Sequence, residues 1–234
     1  MVMNPNMAAR AHAGDPVLAR PSQTQAAGRV DVVPLLWFAL AYSPFFLNDV
    51  LFMRITDWRA YLAVDYGARL LVILLLVAPP ALRDIIVRRE RLTADPAHML
   101  LLILGCIAFS CLLYAGFDPL LRAVIGDTSL SRFPALPPGI KQLDLFGGIM
   151  LVALSEELMA RRCAKHVLRA YLRHDGLVIA ASALLFGAMH WSTGVENVVS
   201  CTLIGALLMA AYLRVGALWP VVVAHYVIDV IVFW

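Results

Sequence analysis

The sequence predicts an all-α fold, a polytopic transmembrane helix bundle of about seven spans with its functional core in the last four. Three observations carry this expectation. A mean hydropathy of +0.80, with 62% hydrophobic and 15% charged residues, is more apolar than a soluble core of 234 residues requires. The apolar residues fall into runs close to the ~20 residues that cross a bilayer. Lys and Arg gather in alternate connections between those runs, as a topology signal does.

In chain order, residues 1–30 carry Ala, Pro, Gln, Ser and scattered Arg without an apolar run. They predict a disordered cytoplasmic tail and lack the apolar stretch of a secretory signal peptide. Seven apolar segments follow, at about 33–53, 67–87, 97–117, 141–161, 176–195, 197–214 and 217–234. Pro79-Pro80 predicts a kink or early exit near the end of the second. A Pro/Gly-rich loop over 118–140 divides the chain into scaffold spans at 31–117 and a functional core at 141–234.

The net charge of +3 and a pI near 8.8 do not imply nucleic acid, because the basic residues sit between apolar segments. Arg10, Arg20, Arg29, Arg83, Arg88, Arg89, Arg91, Arg161, Arg162, Lys165, Arg169, Arg173 and Arg214 mark one side, and Arg54, Arg59, Arg69, Arg122, Arg132 and Lys141 the other. Thirteen against six puts the N-terminus in the cytoplasm and the C-terminus outside. Cys106, Cys111, Cys163 and Cys201 form no CxxC and read as small buried hydrophobes.

The chemistry concentrates in three places. Glu156 and Glu157 stand near the end of an apolar run, where a charge is costly and reads as functional. Glu157 and Arg161 are four apart and share a helix face, which puts them within reach of an ion pair. Glu156 is rotated by about 100° and has no partner on its own helix. His190 follows Phe186 by one turn on the fifth segment, and His225 and Asp229 share one face of the last. Each polar group needs a partner in an apolar interior, and meeting one another is the cheapest arrangement. Arg162, Lys165, Arg169 and Arg173 recur at helical spacing, so the fourth helix continues past Arg161 to a break at His174-Asp175-Gly176. Counted from that break, Glu156 and His190 differ in height by only ~5 Å.

Glu156-Glu157-x-x-x-Arg161, Phe186-x-x-x-His190 and His225-x-x-x-Asp229 resemble the EExxxR, FxxxH and HxxxN/D motifs of the CAAX protease and bacteriocin-processing (CPBP, or Abi) intramembrane proteases. The resemblance covers about 141–234, with Ala160 and Arg162 departing from the aromatic and Gly that members usually carry around the Arg. It implies an intramembrane endopeptidase of a bacterial inner (plasma) membrane, acting on a membrane-associated protein or peptide. In it Glu156 with His190 activates water, His225 and Asp229 serve the oxyanion, and Glu157, Arg161 and Phe186 support the site. Asp229 donates a proton only if protonated, so its expected part is to orient His225. No cofactor is implied. A zinc metalloprotease using the same residues, a non-catalytic immunity or scaffold protein and a proton-coupled transporter are the competing readings.

Overall fold

The computed structural model describes residues 31–234, so the tail expected over 1–30 lies outside the described residues. Among those described, the chain is helical with no strand. Its helices are α1 (Val33–Phe52), α2 (Trp58–Val77), α3 (Pro80–Val87), α4 (Pro96–Leu112), α5 (Asp118–Ile125), α6 (Pro138–Leu143), α7 (Ile149–Glu157), α8 (Ala164–Arg169), α9 (Asp175–Ala188), α10 (Val195–Val215) and α11 (Trp219–Phe233). Wide π-turns at Leu113–Phe117, Asp144–Gly148 and Leu158–Cys163 join α4 to α5 and run α6, α7 and α8 into one rod.

Four helices are long and apolar enough to cross a membrane: Val33–Phe52, Trp58–Val77, Pro96–Ile125 and Val195–Val215. Asp175–Ala188 and Trp219–Phe233 are apolar but shorter, and the rod over 138–169 is interrupted by its own charges. With this composition the chain is an integral membrane protein; seven spans are not all met by length and apolarity.

Two element boundaries differ from expectation. The second helix starts at Trp58, not near residue 67, because Asp57 caps it by accepting the N–H groups of Arg59 and Ala60, each at 3.0 Å. Asp65 and Arg69, which break the apolar run in sequence, are thus turns inside this helix. The helix ends at Pro79-Pro80, and α3 begins there as a separate piece. The loop expected from residue 118 starts only at Gly126. Pro119 would clash with the carbonyl one turn earlier in a regular helix, and the π-turn at Leu113–Phe117 widens the backbone there. Pro44 inside α1 is handled differently: the carbonyl of Leu40 that it leaves free accepts the Ser43 hydroxyl at 2.7 Å.

In the bundle, α7 packs against α2 and α11, while α10 packs against α9 and α4 and α11 also lies along α4. The connections gather at two ends. At one, Thr93 donates to the carbonyls of Val215 and Arg214 at 2.8 Å each, Leu218 donates to Glu90 at 2.7 Å, and Arg162 donates to the Ile85 carbonyl at 2.9 Å. At the other, the backbone N–H groups of Leu130 and Ser131 both donate to the Ser192 carbonyl, at 2.9 and 3.0 Å. Phe133 packs there among Phe52, Tyr61 and Phe233, with ring centroids 5.0, 6.0 and 5.3 Å away.

Candidate active site

Glu156 and Glu157 close the α7 helix and face different neighbours, as consecutive helical residues must. Glu157 is fully buried, and its Oε2 lies 3.0 Å from Arg161 Nε, an ion pair whose angle falls outside hydrogen-bond geometry. The expected i, i+4 contact is therefore present. The Arg161 guanidinium lies over the Phe186 ring at 4.4 Å, so its charge is balanced by a carboxylate on one side and a π-face on the other. Glu157 has a second partner that its local spacing does not announce: its Oε1 accepts His225 Nδ1–H at 2.9 Å.

His225 on α11 stands between carboxylates. Its Nδ1 meets Glu157, while its Nε2 is 3.4 Å from Asp229 Oδ2 and 3.8 Å from Glu156 Oε2. The Phe186 ring meets His225 edge-on at 5.7 Å and tilts against His190 at 5.1 Å, so one phenylalanine sets the position of both imidazoles. His190 follows the end of α9 with φ −101° and ψ 18°, in the sparsely populated bridge region. Its Nδ1 is 2.8 Å from the Phe186 carbonyl. A carbonyl only accepts, so Nδ1 donates, and in the neutral ring the lone pair sits on Nε2.

The expected contact between Glu156 and His190 is not formed: among the described residues no hydrogen bond joins them. Instead Arg69 of α2 donates from Nη1 to Glu156 Oε1 at 2.7 Å. By sequence Arg69 stands near the start of the second apolar segment, in the scaffold part of the chain, and counts only as a charge that marks sidedness. The other oxygen, Glu156 Oε2, is buried and has no hydrogen-bond partner among the described residues. Glu156, His190, His225 and Asp229 all line one cavity of about 680 Å³, together with Arg69 and Asp65 from α2. No signal in the sequence places Arg69 beside Glu156, since 87 residues separate them; its position in the middle of an apolar helix is the only hint.

Toward the 126–137 segment the cavity wall is polar and internally paired. Arg122 bonds to Glu196, Ser200 to Asp118, and Arg132 to Asp127 at 2.8 Å. The Ser129 backbone N–H, and after it the Ser129 hydroxyl, hold Asp127 below the usual carboxylate range. Cys201 lines the same wall, 3.6 Å from the Tyr114 hydroxyl. Among the described residues no three His, Cys, Asp or Glu side chains converge as a ready metal-ligand set.

Fold and site together define a class: a helical integral membrane protein that holds paired carboxylates and imidazoles in an internal cavity. Residues 140–231 match the family described as Type II CAAX prenyl endopeptidase Rce1-like, and over that stretch the chain is similar to this family of peptidases. No curated protein and no solved structure matches the chain.

Proposed function

We propose that the protein is an intramembrane endopeptidase that hydrolyses a peptide bond in a membrane-associated protein or peptide, with Glu156 as general base. The observation that carries the proposal is the orphan oxygen: Glu156 Oε2 is buried without a partner, beside the cavity that His190, His225 and Asp229 line. A buried acceptor left unsatisfied costs about 1–3 kcal/mol. Glu157 Oε2 has the Arg161 guanidinium at 3.0 Å to offset this, whereas Glu156 Oε2 lies 3.8 Å from His225 Nε2 and on the cavity.

In the proposed reaction a cavity water lies between Glu156 and His190. Its oxygen attacks the scissile carbonyl while its proton passes to Glu156 Oε2. His190 accepts the second hydrogen bond through Nε2, which stands in for the direct contact expected from sequence. The oxyanion forms on the side of His225, whose Nδ1–H Glu157 holds and whose Nε2, 3.4 Å from Asp229, donates to the oxyanion from the protonated ring. A donor so placed contributes about 3 kcal/mol to the transition state. The proton on Glu156 then goes to the leaving amine, restoring the carboxylate.

The same reading takes the chain through the membrane seven times, by the four long helices, the rod over 138–169, α9 and α11. The N-terminus is cytoplasmic, the C-terminus outside, and the plasma membrane of a bacterium the setting. The gathering of alternate connections at two ends supports it. Prenylated CAAX proteins, leader peptides and C-terminal sorting tails are the candidate substrates.

The test is cleavage of an internally quenched prenylated CAAX peptide, a leader-peptide fusion and a sorting-tail fusion by purified protein beside its Glu156→Gln form. The expected result is turnover of one of them by the parent, lost in the variant and kept after dialysis against a strong chelator. Activity lost on chelation and restored by zinc would replace the direct mechanism with a metal one on the same residues. Full activity in Glu156→Gln would end the glutamate reading.

A further inference from the structure

Beyond the groups placed around the scissile bond, we infer that Asn48, Asp65 and Arg69 form a positioning relay that fixes which oxygen of Glu156 is free to take a proton. The inference rests on the endopeptidase reading and deepens it. Its members come from α1 and α2, outside the 140–231 stretch that matches a known family.

The geometry is a chain of single contacts. Asn48 Nδ2 donates to Asp65 Oδ1 at 3.0 Å; the same oxygen is 3.2 Å from Arg69 Nη2; and Arg69 Nη1 donates to Glu156 Oε1 at 2.7 Å. Arg69 further lies over the Phe45 ring at 5.0 Å. Asn48, Asp65 and Glu156 are all buried, and the Arg69 side chain is 12% exposed. Asp65 and Arg69 are four apart on α2, so the helix itself holds them in register.

A carboxylate on a two-carbon stem rotates about its last bond, and its two oxygens are chemically equal until something distinguishes them. Here the guanidinium distinguishes them. It takes Oε1 through a charge-assisted bond, and Oε2 is left unpartnered near His225 Nε2. Asp65 keeps the guanidinium from swinging toward another acceptor, and Asn48 keeps Asp65 from turning away. Arg69 touches no reacting atom and acts only through Glu156, which makes it a positioning residue. A misplacement of about 1 Å in a catalytic group costs on the order of 10²-fold in rate, which sets the effect to look for.

The experiment compares Arg69→Gln, Arg69→Lys, Asp65→Asn, Asn48→Leu and Glu156→Gln as full-length purified proteins, each with the parent. The probe is whichever of the three substrates the parent cleaves. Arg69→Gln should lower kcat by on the order of 10²-fold with KM within about 3-fold. Arg69→Lys, which keeps the cation, should recover at least about a tenth of the lost rate. Asp65→Asn and Asn48→Leu, one and two contacts further out, should fall in that order of severity. A second readout needs no substrate: the infrared carboxylate bands of Glu156, isolated by difference against Glu156→Gln, should shift in Arg69→Gln as the clamped oxygen is released. An inactive Glu156→Gln beside an unimpaired Arg69→Gln, or bands that do not move, would overturn the relay and leave the endopeptidase reading standing. Full activity in Glu156→Gln would overturn both. Should Arg69→Gln fold poorly, Asp65→Asn is read by the same two measures, and its unchanged kcat and bands count against the relay.

Discussion

At the scale of single residues, the two adjacent glutamates have different work because their neighbours differ. Glu157 joins Arg161 of its own rod to His225 of α11, so it holds a second helix as well as its own turn. Removing one partner of a buried pair costs about 3–5 kcal/mol, because the other charge is left uncompensated. Glu157→Gln and Arg161→Ala should therefore melt clearly below the parent in detergent, with Glu157→Gln also impaired in turnover through His225. Melting curves and rates on one preparation check this; a Glu157→Gln protein with unchanged midpoint and rate would remove the anchoring role. The Glu157–Arg161 contact was legible in the sequence because it is local, set by a helical repeat. The contacts of Glu157 with His225 and of Glu156 with Arg69 were not. Each spans tens of residues, 68 in the first pair and 87 in the second, and depends on how helices cross.

At the scale of elements, α9 and α10 approach closely at Gly187, next to the Phe186 that positions both imidazoles. A Cβ at Gly187 would come 2.7 Å from the backbone carbonyl of Val198, besides striking Thr202. The hydroxyl of Thr202 can turn aside, but the carbonyl cannot without moving α10. Gly187→Ala should cost about 1–3 kcal/mol of stability as the helices separate. It should also lower activity by displacing Phe186 and His190, whereas Gly105→Ala, with open space around its site, should do neither. Parallel melting and turnover measurements distinguish the two variants. The α9 start and the continuation of the rod past Arg161 could be read from spacing and turn chemistry. The π-turns could not: they answer to Pro119 and to packing, and they carried α5 into a region whose Pro and Gly content reads as loop.

At the scale of the whole molecule, the connections sort to two ends, as an alternating path requires. The basic Arg162 lies at the end that holds Glu90, Thr93 and the α10–α11 turn. Gly216 makes that turn possible. Its φ of +78° is one that L side chains avoid, and a Cβ there would sit 2.7 Å from the Arg91 carbonyl. Reporter fusions at residue 1 and after Trp234 should report opposite sides of the membrane. Both ends on one side would strike out one crossing, with the short α9 the first to re-examine. The count of basic residues needs one amendment: Arg69 and Arg161 point into the bundle and carry no information about sidedness.

The Arg69 contact also bears on where the working unit of this protein begins. The stretch 140–231 holds every residue of the three motifs, and a comparison of sequences would draw its boundary there. Cut at that point, Glu156 loses its counter-ion and α11 loses the α4 face it lies against. The stretch that matches a family and the set of residues around Glu156 therefore do not have the same bounds. On the proposed reading, grafting the C-terminal four spans onto another scaffold would carry over Glu156, His190, His225 and Asp229 without the Arg69 charge that holds one oxygen of Glu156.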